Sequence, residues 1–175
     1  MDETLKRAIS GAVYIFLLLA SILYSTESFL ILFGIFLIIS IYEFCNLVQV
    51  NKTIPLISGT SIYVLIILIS NYYNLKAEDI QLLDIVLLAI TLLISIKCVV
   101  FLFDNSLQKI SNSSKYIYLL GYITLPFIFI TKISFGIKNY NPKIIIGLLI
   151  LIWTNDTFAY IVGKSIGKHK LFEKI

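Results

Sequence analysis

The sequence predicts an all-α, polytopic integral membrane protein of about six transmembrane helices. Of its 175 residues, 59 % are hydrophobic and 14 % charged. Mean hydropathy is +0.96, and the apolar residues fall in long, almost uncharged runs. A soluble domain uses roughly 45–50 % apolar and about 25 % charged residues, so it could not hide this much apolar surface. Disorder is excluded by the same figures, because disordered chains are polar and charged. The runs are also continuous, unlike the alternating segments of about ten residues that build an outer-membrane barrel.

Six spans follow from length and flanking polarity: 8–24, 28–48, 54–70, 82–103, 116–133 and 143–163. The first imitates a secretory signal, with Lys6 and Arg7 ahead of an apolar stretch from Gly11 to Leu23. No small-x-small cleavage site follows and the next apolar run begins almost at once, so it reads as an uncleaved membrane helix. The first and third spans are near the short limit for crossing a core of about 30 Å. The first two are expected to form a tilted pair joined by Ser25-Thr26-Glu27. Pro55 and Pro142 suit the first turns of the third and sixth helices. Pro126 falls inside the fifth and is expected to kink it. The connections are short, and no repeat, low-complexity tract or soluble domain interrupts a single membrane domain over 1–175.

Charge sets the expected orientation. With six spans both termini share one side, which carries Lys6, Arg7, Lys52, Lys109, Lys115, Lys164, Lys168, Lys170 and Lys174. The other side carries Lys76, Lys132, Lys138 and Lys143, while Lys97 lies inside the fourth span. Basic residues favour the cytoplasmic side, so both termini are expected there, in the cytoplasmic (inner) membrane. The net charge of +4 then reflects cytoplasmic loops facing anionic lipid or phosphorylated ligands, and no nucleic acid is expected as a partner. Cys45 and Cys98 lie in apolar runs outside any CxxC or Cys/His cluster and read as buried, inert thiols.

An ionisable group deep in a membrane costs several kcal/mol and is a functional candidate by default. Glu43, Lys97 and Asp156 stand out, in the second, fourth and sixth spans. In the expected topology all three fall in the cytoplasmic half, which suggests a polar cavity opening to the cytoplasm. Two blander readings stay open: Lys97 snorkels to the interface, and Glu43 is a structural partner of a neighbouring helix or of Lys97. Asp156 is harder to dismiss, because its short side chain cannot snorkel and Asn155 and Thr157 flank it. Asp84, near the outer end of the fourth span, is expected to be solvated.

On a helix Asp156, Tyr160 and Lys164 share one face. Ala159, Gly163 and Gly167 make an adjoining face of small residues that lets another backbone approach. The polar face offers a carboxylate for a divalent cation and an ammonium about two turns away, which suits a phosphate-bearing ligand with its metal ion. The cluster Lys164, Lys168, His169 and Lys170 equally suits a positive-inside anchor.

From Asn155-Asp156-Thr157-Phe158-Ala159-Tyr160, through Gly163-Lys164, to Gly167-Lys168-His169-Lys170-Leu171, the chain resembles the phosphatidate cytidylyltransferase (CDP-diacylglycerol synthase) family. Weaker echoes are Lys6-Arg7 with Ser10-Gly11, Tyr42-Glu43, and Gly121-Tyr122 with Pro126. The resemblance implies a CTP-dependent nucleotidyltransferase of phospholipid biosynthesis, converting CTP and phosphatidic acid to CDP-diacylglycerol and pyrophosphate with Mg²⁺. It implies that Asp156 is catalytic and holds the metal ion, and that Lys164 and Lys168 contact substrate phosphates. Glu43, Lys97 and Tyr160 would line the polar cavity. Membrane lipid is an expected partner, and a homodimer is a candidate assembly.

The family pattern continues beyond Ile175 with a Ser-Pro-Lys-Lys-Thr-Trp-Glu-Gly-like segment, further helices and a second aspartate. The resemblance therefore implies the N-terminal part of a larger helical membrane enzyme, inactive by itself. The rival readings are a CTP-dependent lipid kinase or other lipid cytidylyltransferase, a transporter or channel subunit using the intramembrane charges, and a non-enzymatic scaffold. The lysine distribution makes a direct prediction. A reporter fused after Ile175 should behave as cytoplasmic, and an active periplasmic phosphatase fusion there would reverse the orientation.

Overall fold

The computed structural model describes residues 3–72, 77–103, 111–135 and 139–167, and every regular element among them is helical. The chain divides into two compact units, Met1–Lys132 and Ile133–Ile175. In the first, α1 (Glu3–Tyr24) and α2 (Thr26–Val48) form a hairpin with Ser25 as the one residue between them. The expected three-residue turn shortens because Ser25 caps α2. Its hydroxyl accepts the Ser28 N–H at 3.1 Å, and Ser28 Oγ accepts the Ser25 N–H at 3.1 Å. Ser28 Oγ also donates to the Ser21 carbonyl at 2.6 Å, stitching the end of α1 to the start of α2.

One stripe of α2, with Phe29, Phe33, Leu37, Ile41 and Cys45 at every fourth position, is buried. The helix stops at Gln49, whose φ of 55° is left-handed and whose N–H returns to the Cys45 carbonyl. Gln49 Nε2 donates to the Asn46 carbonyl at 2.7 Å, which helps a residue with a Cβ hold that conformation. Next, α3 (Thr53–Tyr72) starts where Asn51 Oδ1 accepts the Thr53 N–H at 3.0 Å, with Pro55 in its first turn. Midway along α3 the Tyr63 hydroxyl donates to the Leu30 carbonyl at 2.8 Å, tying α3 to α2.

After α4 (Ala77–Phe103), the fifth span is one rod in three parts: α5 (Asn112–Leu119), a π-helical turn over Leu120–Thr124, and α6 (Leu125–Ile133). A widened turn immediately precedes Pro126, where the kink is expected. Proline has no N–H, and its ring crowds the carbonyl four residues back. The preceding turn widens, and the Leu125 N–H reaches five residues back to the Leu120 carbonyl. The core then forms where α2, α3 and this rod meet, around Leu37, Ile41, Tyr63, Ile66, Leu119, Leu125 and Ile128.

Two glycines permit close approach, one within that core and one between the fifth span and α4. A Cβ on Gly59 of α3 would lie 2.6 Å from Ile41 Cδ1 and 3.1 Å from Thr124 Oγ1. A Cβ on Gly121, in the π turn, would run into the Ile94 side chain of α4. Near its other end α4 is fastened by an ion pair from Asp84 to Lys132 of α6. Asp84 is therefore not simply solvated as expected. The Lys132 side chain is largely covered, and the carboxylate neutralises its charge.

In the second unit Asn141 donates its N–H to the Ser134 carbonyl at 2.8 Å, and the rings of Phe135 and Tyr140 meet edge to face at 5.6 Å. Burial pushes the Tyr140 phenol up to about 12. Helix α7 (Pro142–Ile166) begins with Asn141 as its cap and Pro142 at its first position.

Among the described residues five helices are long and apolar enough to cross a membrane: Thr26–Val48, Thr53–Ser70, Ile80–Phe101, Asn112–Ile133 and Pro142–Ile166. The sixth expected span, the apolar part of α1 at Ala8–Tyr24, is shorter than these. The protein is an all-α polytopic membrane protein. Its glycine contacts make the second prediction. Gly121→Ala should destabilise the first unit by about 1–3 kcal/mol through overpacking. Ile94→Ala in the same chain should recover part of the loss, which thermal unfolding in detergent measures as a double-mutant cycle.

Candidate functional site

The apolar first half of α7 gives way at Thr154-Asn155-Asp156-Thr157 to polar residues that remain helical because they are paired or exposed. Thr157 Oγ1 donates to the Trp153 carbonyl at 2.7 Å, and Ser165 Oγ to the Ile161 carbonyl at 2.7 Å. These bonds satisfy the hydroxyls within their own helix. The helix ends at Gly167, whose N–H reaches the Gly163 carbonyl at 3.1 Å.

Every residue from Thr154 to Gly167 is exposed. Asp156, Tyr160 and Lys164 lie one above the next on one side of α7, as the fourfold spacing predicts. The Lys164 ammonium stands 5.8 Å from the Tyr160 ring centroid, a cation–π approach. Eight residues separate Asp156 from Lys164, a rise of about 12 Å. Gly163 has open space at its Cβ position, so the small-residue side of α7 is also uncovered. Lys168, expected to contact phosphate, lies outside the described residues, as do His169 and Lys170.

Chemically, this face presents an anion at one level and a cation two turns on, with a phenol between. A lone exposed carboxylate suits Mg²⁺, which keeps several waters and binds through one or two carboxylates plus phosphate oxygens. Among the described residues no group of three or more His, Cys, Asp or Glu side chains comes together. A dedicated all-protein metal cage is therefore not part of the described site.

The other two intramembrane charges belong to the first unit. Glu43 is exposed on the side of α2 opposite its buried stripe, two residues from both Ile41 and Cys45. Lys97 is exposed on α4. Helix α4 packs mainly on the fifth span, and no ion pair joins Glu43 to Lys97 among the described residues.

The structure adds a polar cluster the sequence did not single out. Lys52 sits 3.9 Å over the Tyr42 ring, and Lys115 Nζ donates to the Val48 carbonyl at 2.7 Å. Both cations gather at the C-terminal end of α2, where they meet the negative end of the helix dipole. The signal in the sequence was the pair of lysines flanking the second and fifth spans, which reads only as an interface anchor until the helices are packed.

Fold and site define a helical membrane protein that carries a carboxylate–phenol–ammonium face on a late helix. The chain belongs to the cytidylyltransferase family, whose pattern matches residues 5–175. It is similar to a phosphatidate cytidylyltransferase of Bacillus subtilis (strain 168), with 25 % identity over 185 residues. That alignment takes in 100 % of this chain and 64 % of the relative, so the chain spans about two thirds of its relative's length. No solved structure gives a significant match.

Proposed function

We propose that this chain serves CTP-dependent cytidylyl transfer to phosphatidate, giving CDP-diacylglycerol and pyrophosphate in phospholipid synthesis. The observation that carries this reading is the family match over 5–175, and the named relative supports the lipid substrate. In the reaction an oxygen of the lipid phosphate attacks the α-phosphorus of CTP. The bond from that phosphorus to the bridging oxygen breaks, and pyrophosphate leaves with the electron pair. Two polyanions must be brought into line, so the protein's task is to neutralise and align them.

Residues of α7 suit that task. Asp156 would hold Mg²⁺, which when bound supplies charge neutralisation at the triphosphate. Lys164, two turns on, would take a phosphate oxygen as a point charge. The Tyr160 ring beneath its ammonium would limit the directions in which Lys164 reaches. Lys168 is proposed as a second phosphate contact from the resemblance alone. Both termini are proposed to be cytoplasmic, which puts α7's charged end on the side where CTP is found. The lysine distribution supports that orientation.

The test uses membranes from cells expressing the complete gene that encodes this chain, assayed with labelled CTP, phosphatidic acid and Mg²⁺. Asp156→Asn should keep the protein in the membrane at wild-type level and lower turnover about 10²–10³-fold, the scale of losing one transition-state electrostatic contact. Lys164→Gln should mainly raise the KM for CTP. Turnover by Asp156→Asn equal to wild type at equal expression would remove this carboxylate from the mechanism.

A further inference from the structure

Thr124 is fully buried, and among the described residues its hydroxyl finds no hydrogen-bond partner. Thr60, Thr91 and Thr157 each donate to the carbonyl four residues back, that of Leu56, Leu87 and Trp153, at 2.5, 2.8 and 2.7 Å. For Thr124 that carbonyl belongs to Leu120, and in the π turn it accepts the Leu125 N–H. The same turn strands a second group. The donors that could reach the Gly121 carbonyl lie four and five residues on, at Leu125 and Pro126. The Leu125 N–H is committed to Leu120, and proline has none. An α-helical turn would satisfy both groups, with the Leu125 N–H on Gly121 and the Thr124 hydroxyl on Leu120. Two things oppose it. The Pro126 ring would press on the Tyr122 carbonyl, and Ile94 sits in the notch at Gly121.

The turn joins two halves that are held to different helices. In α6, Lys132 pairs with Asp84 of α4. In α5, Lys115 Nζ donates to the Val48 carbonyl of α2 at 2.7 Å. The looser half is α5. Of its eight residues only Leu119 is buried, and among the described residues Lys115 makes its one side-chain bond to another helix. Space for movement lies beside the turn. An apolar slot of about 290 Å³ between α4 and the fifth span is lined by Ile117, Leu120, Gly121, Thr124 and Leu125 of the rod, with Ile94 of α4. A close-packed interior resists rearrangement, whereas here residues on both sides of the turn border unfilled volume. Removing the one-residue surplus of the π turn would rotate one half of the rod against the other by about 100°, the angle of one helical residue.

We propose that the fifth span is a two-state latch, in which the π turn exchanges with an α-helical turn and α5 rotates while the Asp84–Lys132 pair holds α6. In the observed state Lys115 holds the end of α2 and the Thr124 hydroxyl is unpaired. In the other state Thr124 donates to Leu120, Gly121 accepts from Leu125, and Lys115 leaves Val48. The bonds gained at Thr124 and Gly121 offset the Pro126 contact and the lost Lys115 bond, which keeps the two states close enough for both to be populated. The latch decides whether the last turn of the second span is held by a cation from the fifth or left open. Its parts are Thr124, Pro126 and Lys115, and it does not depend on the reaction assigned to α7.

The experiment is fluorine NMR of the purified full chain in detergent, with a trifluoromethyl label on Ser113→Cys of α5. Ser113 is exposed, Cys45 is buried, and Cys98→Ala removes the other thiol. Saturation transfer should find a minor resonance of about 1–10 % in exchange with the main one, the range of a competing conformer. That measurement keeps the native turn and needs no variant within it. Thr124→Val keeps the shape, removes the hydroxyl, and should lower the minor population about fivefold, the scale of one hydrogen bond. Pro126→Ala removes the ring and should raise it, and Lys115→Met, which frees α5 from Val48, should raise it too. Opposite responses at Thr124 and Pro126 separate a switch from a general loosening, which would move both populations the same way. A single resonance with the native turn, the same direction of change in Thr124→Val and Pro126→Ala, or a population unmoved by Lys115→Met would each overturn the proposal.

Discussion

Close approach of helix backbones at Gly59 and Gly121 is the constraint on which the first unit depends. Within a bilayer, lipid tails are as apolar as leucine, so burying apolar side chains against one another supplies little drive for association. Packing contacts must supply it, and they improve when a small residue lets a neighbour's side chain reach the backbone. Gly59 receives Ile41 of α2 and Thr124 of the fifth span, which draws three helices to one point. Gly121 receives Ile94 and fastens α4 midway along its length. The core around Tyr63 and Ile128 forms between the first pair of contacts, and the apolar slot beside α4 is what the second leaves unfilled.

Polar groups inside such a bundle have few partners, and the structure shows how they are handled. Thr91 and Thr131 donate to the Leu87 and Ile128 carbonyls of their own helices, while Tyr63 reaches across to the Leu30 carbonyl. Each bond spares an unpaired donor in a medium without water. The fifth span carries the one departure from α-helical bonding among the described residues, and it lies where Pro126 removes a donor. Widening that turn also brings Gly121 and Thr124 to the buried side, so an imposed backbone defect becomes the packing site for two neighbours.

The α7 face is organised by a different rule. Its charges are exposed and held at fixed spacing by the helix alone, so their geometry depends little on packing within the described chain. Lys164 in the last turn is also favourable to the helix dipole, so one cation steadies the helix end while remaining available to an anion. Asp156 has no such local reason to be there. A carboxylate in an apolar membrane helix carries a solvation cost, which is the physical ground for the role proposed for it.

The sequence by itself determined the helical membrane class, five of the helices with boundaries close to those observed, the first-turn prolines Pro55 and Pro142, and the shared side of Asp156, Tyr160 and Lys164. These follow from composition, run length and the 3.6-residue period, all of which are local. The family was legible for the same reason, because its pattern from Asp156 to Gly167 lies on one continuous helix and its cap. Tertiary structure alone decided that Asp84 pairs with Lys132, that Ile94 meets Gly121, that the turn before Pro126 widens, and that α4 and the fifth span leave a slot between them. Those facts require the register between helices. Uniformly apolar helices do not encode register in a hydrophobic stripe, because nearly every side is apolar, so it is fixed only when glycines, hydroxyls and rare charges find their partners in space.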